Sequence, residues 1–232
     1  MSYTTLTLDN YDIFEKWGFF IVTKEIGTPE PKIYTVDIPG GDGVLDLTES
    51  LGSISYGMRP ITVKLRAIGE QNKWTSVFSE IQEALHGRRM QITFSDDAGY
   101  YYVGRVKVKG FHYDFDVCEI QLDMECSPYK YEVNAYGANW LWDPFDFLYG
   151  VIYDNNITIS GTTVVPLEVL KMPVTPTFRA STAMSLQYRG NTYGLAANTD
   201  MKFYDIVLTE GINNLTFVGN GTVQITYTNG IL

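Results

Sequence analysis

Strict alternation of apolar and polar side chains recurs three times in this chain, and it commits those stretches to half-buried β-strands. In the first, Ile61, Val63, Leu65 and Ala67 alternate with Thr62, Lys64 and Arg66. In the second, Tyr102, Val106 and Val108 share one face and Arg105, Lys107 and Lys109 the other. In the third, Ile120, Leu122 and Met124 oppose Glu119, Asp123 and Glu125. An antiparallel register that sets Lys109 across from Glu119 also sets Arg105 across from Asp123, Val108 from Ile120 and Val106 from Leu122. One register then satisfies both faces. Between these strands Phe111, Tyr113 and Phe115 keep the opposite parity, which calls for a bulge or a projecting tip. An exposed tip would meet a partner subunit; one that folds back would join the core.

The first of these strands organises the N-terminal half. Ahead of it stand Pro39, Gly40, Gly41, Asp42 and Gly43. Proline cannot donate to a ladder and the glycines permit positive φ, so the connection there bends sharply. Earlier still, short strands are expected at Thr4 to Leu8, Phe19 to Lys24 and Lys32 to Val36, the opening one as a sheet edge. After the organising strand, Trp74, Val77, Phe78, Ile81 and Leu85 fall on one helical stripe. A helix over about Asn72 to His86 follows, with Asn72 as N-cap and Gly87 just past its end. Its apolar stripe suits a helix covering one face of a sheet.

Beyond Cys126, Ser127-Pro128 opens an extended connector, and the boundary between two domains is placed there: residues 1–131 and 132–232. The second half reads as β throughout. Strands are expected at Val151 to Tyr153, Ile157 to Ser160, Val164 to Leu170, Thr177 to Ala180, Met184 to Tyr188, Thr192 to Leu195, Lys202 to Leu208, Leu215 to Val218 and Val223 to Tyr227. Turns at Asp154-Asn155-Asn156, Arg189-Gly190-Asn191 and Gly219-Asn220-Gly221 arrive at the spacing of a sandwich, the last as a hairpin.

Composition narrows the functions. The formal charge is -10, so the basic footprint needed to grip phosphates is missing and sequence-specific nucleic-acid binding is not expected. The opening residues lack a basic and an apolar region, so no signal peptide is read. The most apolar window, Trp140 to Tyr153, is interrupted by Asp143, Pro144 and Asp146 and does not suit membrane insertion. Cys118 and Cys126, eight positions apart on one strand, would stand roughly 26 Å apart, so two buried thiols in a reducing compartment are expected.

The order Pro39, Gly40, Asp42, Gly43, Leu45, Asp46, Thr48, Glu49, then Tyr56 and Arg59, resembles the start of the siphophage distal tail proteins, with Gly41 standing where members often carry a basic residue. The stretch LTEGINNLTFVGNGTVQITYTNGIL, Leu208 to Leu232, resembles the closing strands of the jelly roll at the C-terminal end of that family, a fold shared with galectins and carbohydrate-binding modules. The likeness covers both halves, with Gly137 to Pro176 matched loosely. It implies a mainly β protein: an N-terminal β-sandwich-like domain with one α-helix and a β-hairpin, and a C-terminal galectin-like jelly-roll β-sandwich. It also implies a structural role as the hub at the distal end of a non-contractile phage tail. Six copies would form a ring joining the tail tube protein to the tail-tip protein, carrying receptor-binding proteins or meeting host cell-wall saccharide, and letting DNA pass. The protein would be made in the bacterial host cytoplasm and reside in the virion.

Two other readings stand beside it. One is a tail tube or tube-terminating ring protein; the other is a carbohydrate-binding module or sugar hydrolase, using Trp140, Trp142, Tyr153, Tyr188 and Tyr193 as platforms. The chemistry of an enzyme is thin. His86 sits at a helix end, His112 has only Asp114 nearby, and no spacing resembles a zinc or calcium site around Asp42, Asp46 and Glu49. No catalytic residue, metal or cofactor is assigned.

Overall fold

The computed structural model describes residues 4–50, 53–69, 73–114, 116–133 and 156–232. The chain divides into two compact units, residues 1–97 with 101–129 and residues 98–100 with 130–232. The described residues are mostly β, with two short α-helices among them. Among the described residues no helix is long and apolar enough to cross a membrane.

The first unit contains β1 (Leu6–Leu8), β2 (Tyr11–Asp12), α1 (Ile13–Trp17), β3 (Phe20–Ile26), β4 (Thr35–Asp37), β5 (Val44–Asp46), β6 (Arg59–Ile68), α2 (Trp74–Leu85), β7 (Arg89–Phe94), β8 (Tyr100–Asp114) and β9 (Val117–Cys126). Its main sheet runs β2-β1-β7-β8-β9-β6-β3. The organising strand β6 therefore lies next to an edge, and β8 holds the centre. The opening strand is not the edge: β1 is flanked by β2 and β7, while the two-residue β2 and the strand β3 take the outer positions.

Alternation does what it promised. Ile61, Val63, Leu65, Val106, Ile120, Leu122 and Met124 are buried in one core with Phe19, Ile92 and Phe94. The stripe of α2 covers that face through Trp74, Ile81 and Leu85, with Val77 and Phe78 packed beside them. The helix begins at Trp74, and Asn72 lies outside the described residues. Its C-terminus is tied to β8: Val108 N–H donates to His86 Nδ1 at 3.1 Å and Gly87 N–H to the Val106 carbonyl at 2.8 Å. His86 thus caps a helix, with a ring nitrogen engaged as an acceptor.

The β8–β9 register differs from the expected one by two residues. Arg105 faces Glu125, Lys107 faces Asp123 and Val108 faces Leu122, with a bulge between Lys109 and Phe111. A shift of two keeps every side chain on its own face, so burial could not discriminate between the registers. The charges remain matched on diagonals: Lys107 Nζ to Glu125 at 2.8 Å and Lys109 Nζ to Asp123 at 2.6 Å. The bulge turns on Gly110 at φ +64. It brings Phe111 back onto Phe78, ring centroids 4.2 Å apart, while Tyr113 stays exposed and Phe115 lies outside the described residues. The short helix α1 was not anticipated. Asp12 Oδ1 accepts from the amides of Phe14 and Glu15, and Gly18 in the left-handed region closes it.

The second unit contains β10 (Lys130–Glu132), β11 (Ile157–Val169), β12 (Thr177–Ala180), β13 (Met184–Tyr188), β14 (Asn191–Leu195), β15 (Asp200–Lys202), β16 (Gly211–Thr226) and β17 (Gly230–Ile231). Residues expected as two strands, Ile157 to Ser160 and Val164 to Leu170, form the single β11, bent at Gly161. Gly219-Asn220-Gly221 is not a hairpin either. The strand β16 runs through it, paired with β11 from Ile157↔Val223 to Val169↔Gly211. The glycines, at φ +155 and +145, let Met184 and Thr182 approach within 2.6 Å of where a Cβ would stand. At this bend β16 exchanges β13 for β12 as its second neighbour. Two half-sheets, β14-β13-β16 and β15-β12-β16, thereby share one core around Phe178, Leu186, Phe217 and Ile225. Arg189-Gly190 joins β13 to β14 as a two-residue loop with both residues at positive φ. Expected strand Lys202 to Leu208 is confined to the end of β15 and a lone bridge between Leu208 and Val174. The strand at Val151 to Tyr153 and the residues Asp154 and Asn155 lie outside the described residues.

Burial raises the carboxyl of Glu132 above its ordinary value, with a hydrogen bond to Asn229 pulling the other way. The folded chain then holds this proton more tightly than the unfolded chain. Stability from this group is present below the ordinary value and falls as pH rises through the folded one. Glu132→Gln is expected to melt higher than the parent at pH 7, the difference vanishing below the ordinary carboxylate value. An equal difference at both pH values would refute this.

Candidate functional site

The residues that carry the sequence resemblance fall into two structural groups. The first makes an arm. Ile38 accepts from Gly41 N–H at 3.1 Å, with Pro39 next and Gly40 at φ +75, the form of a type II turn. Gly43 at φ +84 returns the chain into β5, which pairs with β4 through Thr35↔Asp46, Val36↔Leu45 and Asp37↔Val44. Below the hairpin, Leu47 N–H donates to the Tyr34 carbonyl at 2.8 Å, and Tyr34 N–H donates to Thr48 Oγ1 at 3.1 Å. Asp46 Oδ1 accepts from Thr48 N–H at 2.8 Å, and the hydrogen bonds of Thr48 hold this carboxyl below its ordinary value. Asp46 and Thr48 therefore lock the arm's base, while Asp42 and Glu49 are exposed on it.

Pairing reveals a feature that the separate segments hid. Tyr34, Val36 and Ile38 share a face with Leu45 and Leu47, whereas Thr35, Asp37, Asp46 and Thr48, together with Val44 across from Asp37, point to the other face. The apolar face is uncovered: Tyr34 is 57%, Val36 52% and Leu45 54% exposed. An isolated two-stranded hairpin is marginal in water, so this face needs a covering surface. The signal was present as alternation in Tyr34, Val36 and Ile38. It became legible only once Leu45 was known to stand opposite Val36.

The second group clamps the arm to the sheet. Gly57 N–H donates to the Glu30 carbonyl and Lys32 N–H to the Ser55 carbonyl, both at 2.8 Å, so β3 and β6 continue past the sheet as two paired chains. Tyr56 bridges Pro31 and meets the Tyr129 ring edge-on at 6.2 Å. Arg59 is buried. Its Nε donates to the Pro128 carbonyl at 3.0 Å, its Nη1 to the Gly27 carbonyl at 3.1 Å, and its guanidinium lies 5.8 Å from the Tyr102 ring centroid. It fastens three segments distant in sequence.

Burial pushes the thiols of Cys118 and Cys126 up to about 11 and about 12, and both are free. His112 is exposed across from Glu119. Among the described residues no cluster of three His, Cys, Asp or Glu could hold a metal ion. Of the aromatic platforms considered for sugars, Tyr188 is buried, its hydroxyl shared by the Val207 carbonyl and Asn213 Oδ1. Tyr193 packs on Phe203 with 4.9 Å between ring centroids and donates to Asp205 at 2.7 Å. Trp140, Trp142 and Tyr153 lie outside the described residues.

No family model and no curated protein matches the sequence. A solved structure does match the fold over its full length. It is the crystal structure of the SPP1 Dit (gp 19.1) protein, described as a paradigm of the hub adsorption apparatus in phages that infect Gram-positive bacteria. The TM-score is 0.64 at 17% identity, covering 100% of this chain and 100% of that one.

Proposed function

We propose that this chain is a virion structural protein, the distal tail protein of a long-tailed, non-contractile phage. Six copies close into a ring between the tail tube and the tail-tip protein, residues 1–131 forming the ring and 132–232 a peripheral jelly roll. The ring carries receptor-binding proteins and leaves a passage for DNA. The observation that carries this reading is the end-to-end fold likeness to a tail hub protein, covering 100% of both chains. The motif of Pro39, Gly40, Asp42, Gly43, Leu45, Asp46, Thr48, Glu49, Tyr56 and Arg59 adds to it, being organised as an arm and its clamp.

Physical features agree. Head-to-tail contact around a closed rotation requires two different surfaces on each copy. The sheet offers unlike edges, seven residues long at β3 and two at β2. A net charge of -10 suits a conduit that should not retain DNA. The test is the native mass of the purified full chain, with negative-stain imaging. Annular particles and a mass that is a multiple of six chains are expected. A monomer at every concentration up to the high micromolar range would overturn the reading.

A further inference from the structure

We infer that the β4–β5 arm docks on a second copy of this chain, its acidic side against the arginines at the start of β7. The inference rests on the proposed ring and names the contact that holds neighbouring copies.

Between Lys32 and Arg59 the sequence holds Asp37, Asp42, Asp46 and Glu49 and no lysine or arginine. Asp46 is engaged by Thr48, but Asp37 and Asp42 are exposed and make no hydrogen bond or ion pair among the described residues. The acidic side of the arm thus has carboxylates awaiting partners, with the exposed Val44 across from Asp37. The complementary feature is on β7 and β8. Arg89 stands directly across from Arg105, and Arg88 precedes it, all three exposed. The Arg105 guanidinium donates to the Gly87 carbonyl, while Arg88 and Arg89 have no carboxylate at ion-pair distance among the described residues. Like charges opposed across a ladder are destabilising, whereas on the same sheet Arg66 is matched with Glu119 at 2.6 Å and Lys109 with Asp123 at 2.6 Å.

The two features cannot meet within one chain. The arm leaves at β3 and β6, and β7 lies beyond β9 and β8. Four strand spacings from β3 to β7 come to about 19 Å. Register also points them apart. Arg59 at the arm's base is level with Cys126, Gly104 and Met90, and the arm continues away from that level. Arg88, whose carbonyl accepts from Val106, lies on the opposite side of it. Unlike, complementary patches on opposite flanks of one sheet form a head-to-tail contact, the kind that closes into a ring. Charge sets the register of such a contact, and burial of Val44, which stands across from Asp37 on the acidic side and is 54% exposed, adds adhesion.

The experiment is sedimentation velocity of the full chain at low and high salt, with circular dichroism melts as a folding check. Two double variants are compared, Arg88→Glu with Arg89→Glu and Asp37→Lys with Asp42→Lys, together with their combination. Each double reversal is expected to weaken self-association about tenfold or more at low salt, and the combination to restore it to within about threefold. The neutral pair Arg88→Gln with Arg89→Gln should weaken association without being rescued by the lysines. Assembly that ignores the reversals, or a combination no better than its parts, overturns the docking while leaving the ring in place. A parent chain that never associates overturns both.

Discussion

Phe217→Ala is expected to destabilise the C-terminal unit by about 3–5 kcal/mol, whereas Ile212→Ala in the same strand should change stability by less than about 0.5 kcal/mol. Both residues belong to β16, and both lose an apolar side chain. Phe217 is fully buried, and Ile212 is 72% exposed. Phe217 stands across from Thr163 on one side and Leu186 on the other, so it sits where β16 joins β11 to β13. Its ring meets Phe178 edge-on, centroids 6.2 Å apart, which links the two half-sheets through the core. Truncation removes that contact and leaves a cavity whose walls are held by ladders on both sides, so little collapse can offset the loss. Urea denaturation of the two variants and the parent provides the measurement. A cost below about 1 kcal/mol for Phe217→Ala would show that the core does not depend on this junction.

Such a junction shows what could be seen in the sequence and what could not. The alternations in β6, β8 and β9 named the buried residues because burial on one face is a local pattern. The register between β8 and β9 was invisible, since Val108 is satisfied against either Ile120 or Leu122 and the decision falls to the bulge at Gly110. Gly219-Asn220-Gly221 misled for a related reason. Glycine marks departure from ordinary strand geometry, but whether the chain reverses or only bends depends on what packs there. Here Met184 and Thr182 pack against the bend, and the ladder with β11 continues through it. The helix α1 spans only five residues, too short to show periodicity, and only Asp12 and Gly18 mark its ends.

Legibility of the site divides in the same way. Pro39 and Gly40 specify a turn by their own backbones, so the arm's tip could be read directly. That Arg59 is enclosed by carbonyls of Gly27 and Pro128 could not, because those residues are 32 and 69 positions away. A charged side chain looks exposed in sequence unless its acceptors are known. The unmatched Arg88 and Arg89 were hidden likewise, since their lack of carboxylate partners is a property of the folded sheet.

The sheet beside Arg59 carries the second large effect: Gly104→Val is expected to cost the N-terminal unit about 3 kcal/mol or more. Gly104 sits in β8 between Met90 and Cys126. A Cβ there would meet Cys126 Sγ at 2.5 Å, the Glu125 carbonyl oxygen at 2.7 Å and Cys126 Cα at 2.8 Å. Two of the three obstacles are backbone, so no rotamer change relieves them and β8 must separate from β9. That separation would disturb the clamp, since Arg59 pairs with Cys126 across the other side of β9. It also opens a route to a thiol whose pKa burial pushes up to about 12, against the opposing pull of Arg59. Gly104→Ala is the milder form, and its Cys126 should alkylate faster than the parent's under native conditions. Adding Cys126→Ala removes the sulfur contact but neither backbone contact, so it should recover only part of the lost stability. Full recovery would show that the sulfur alone demands glycine. A Gly104→Val variant within about 0.5 kcal/mol of the parent would mean that β8 and β9 are not so closely apposed.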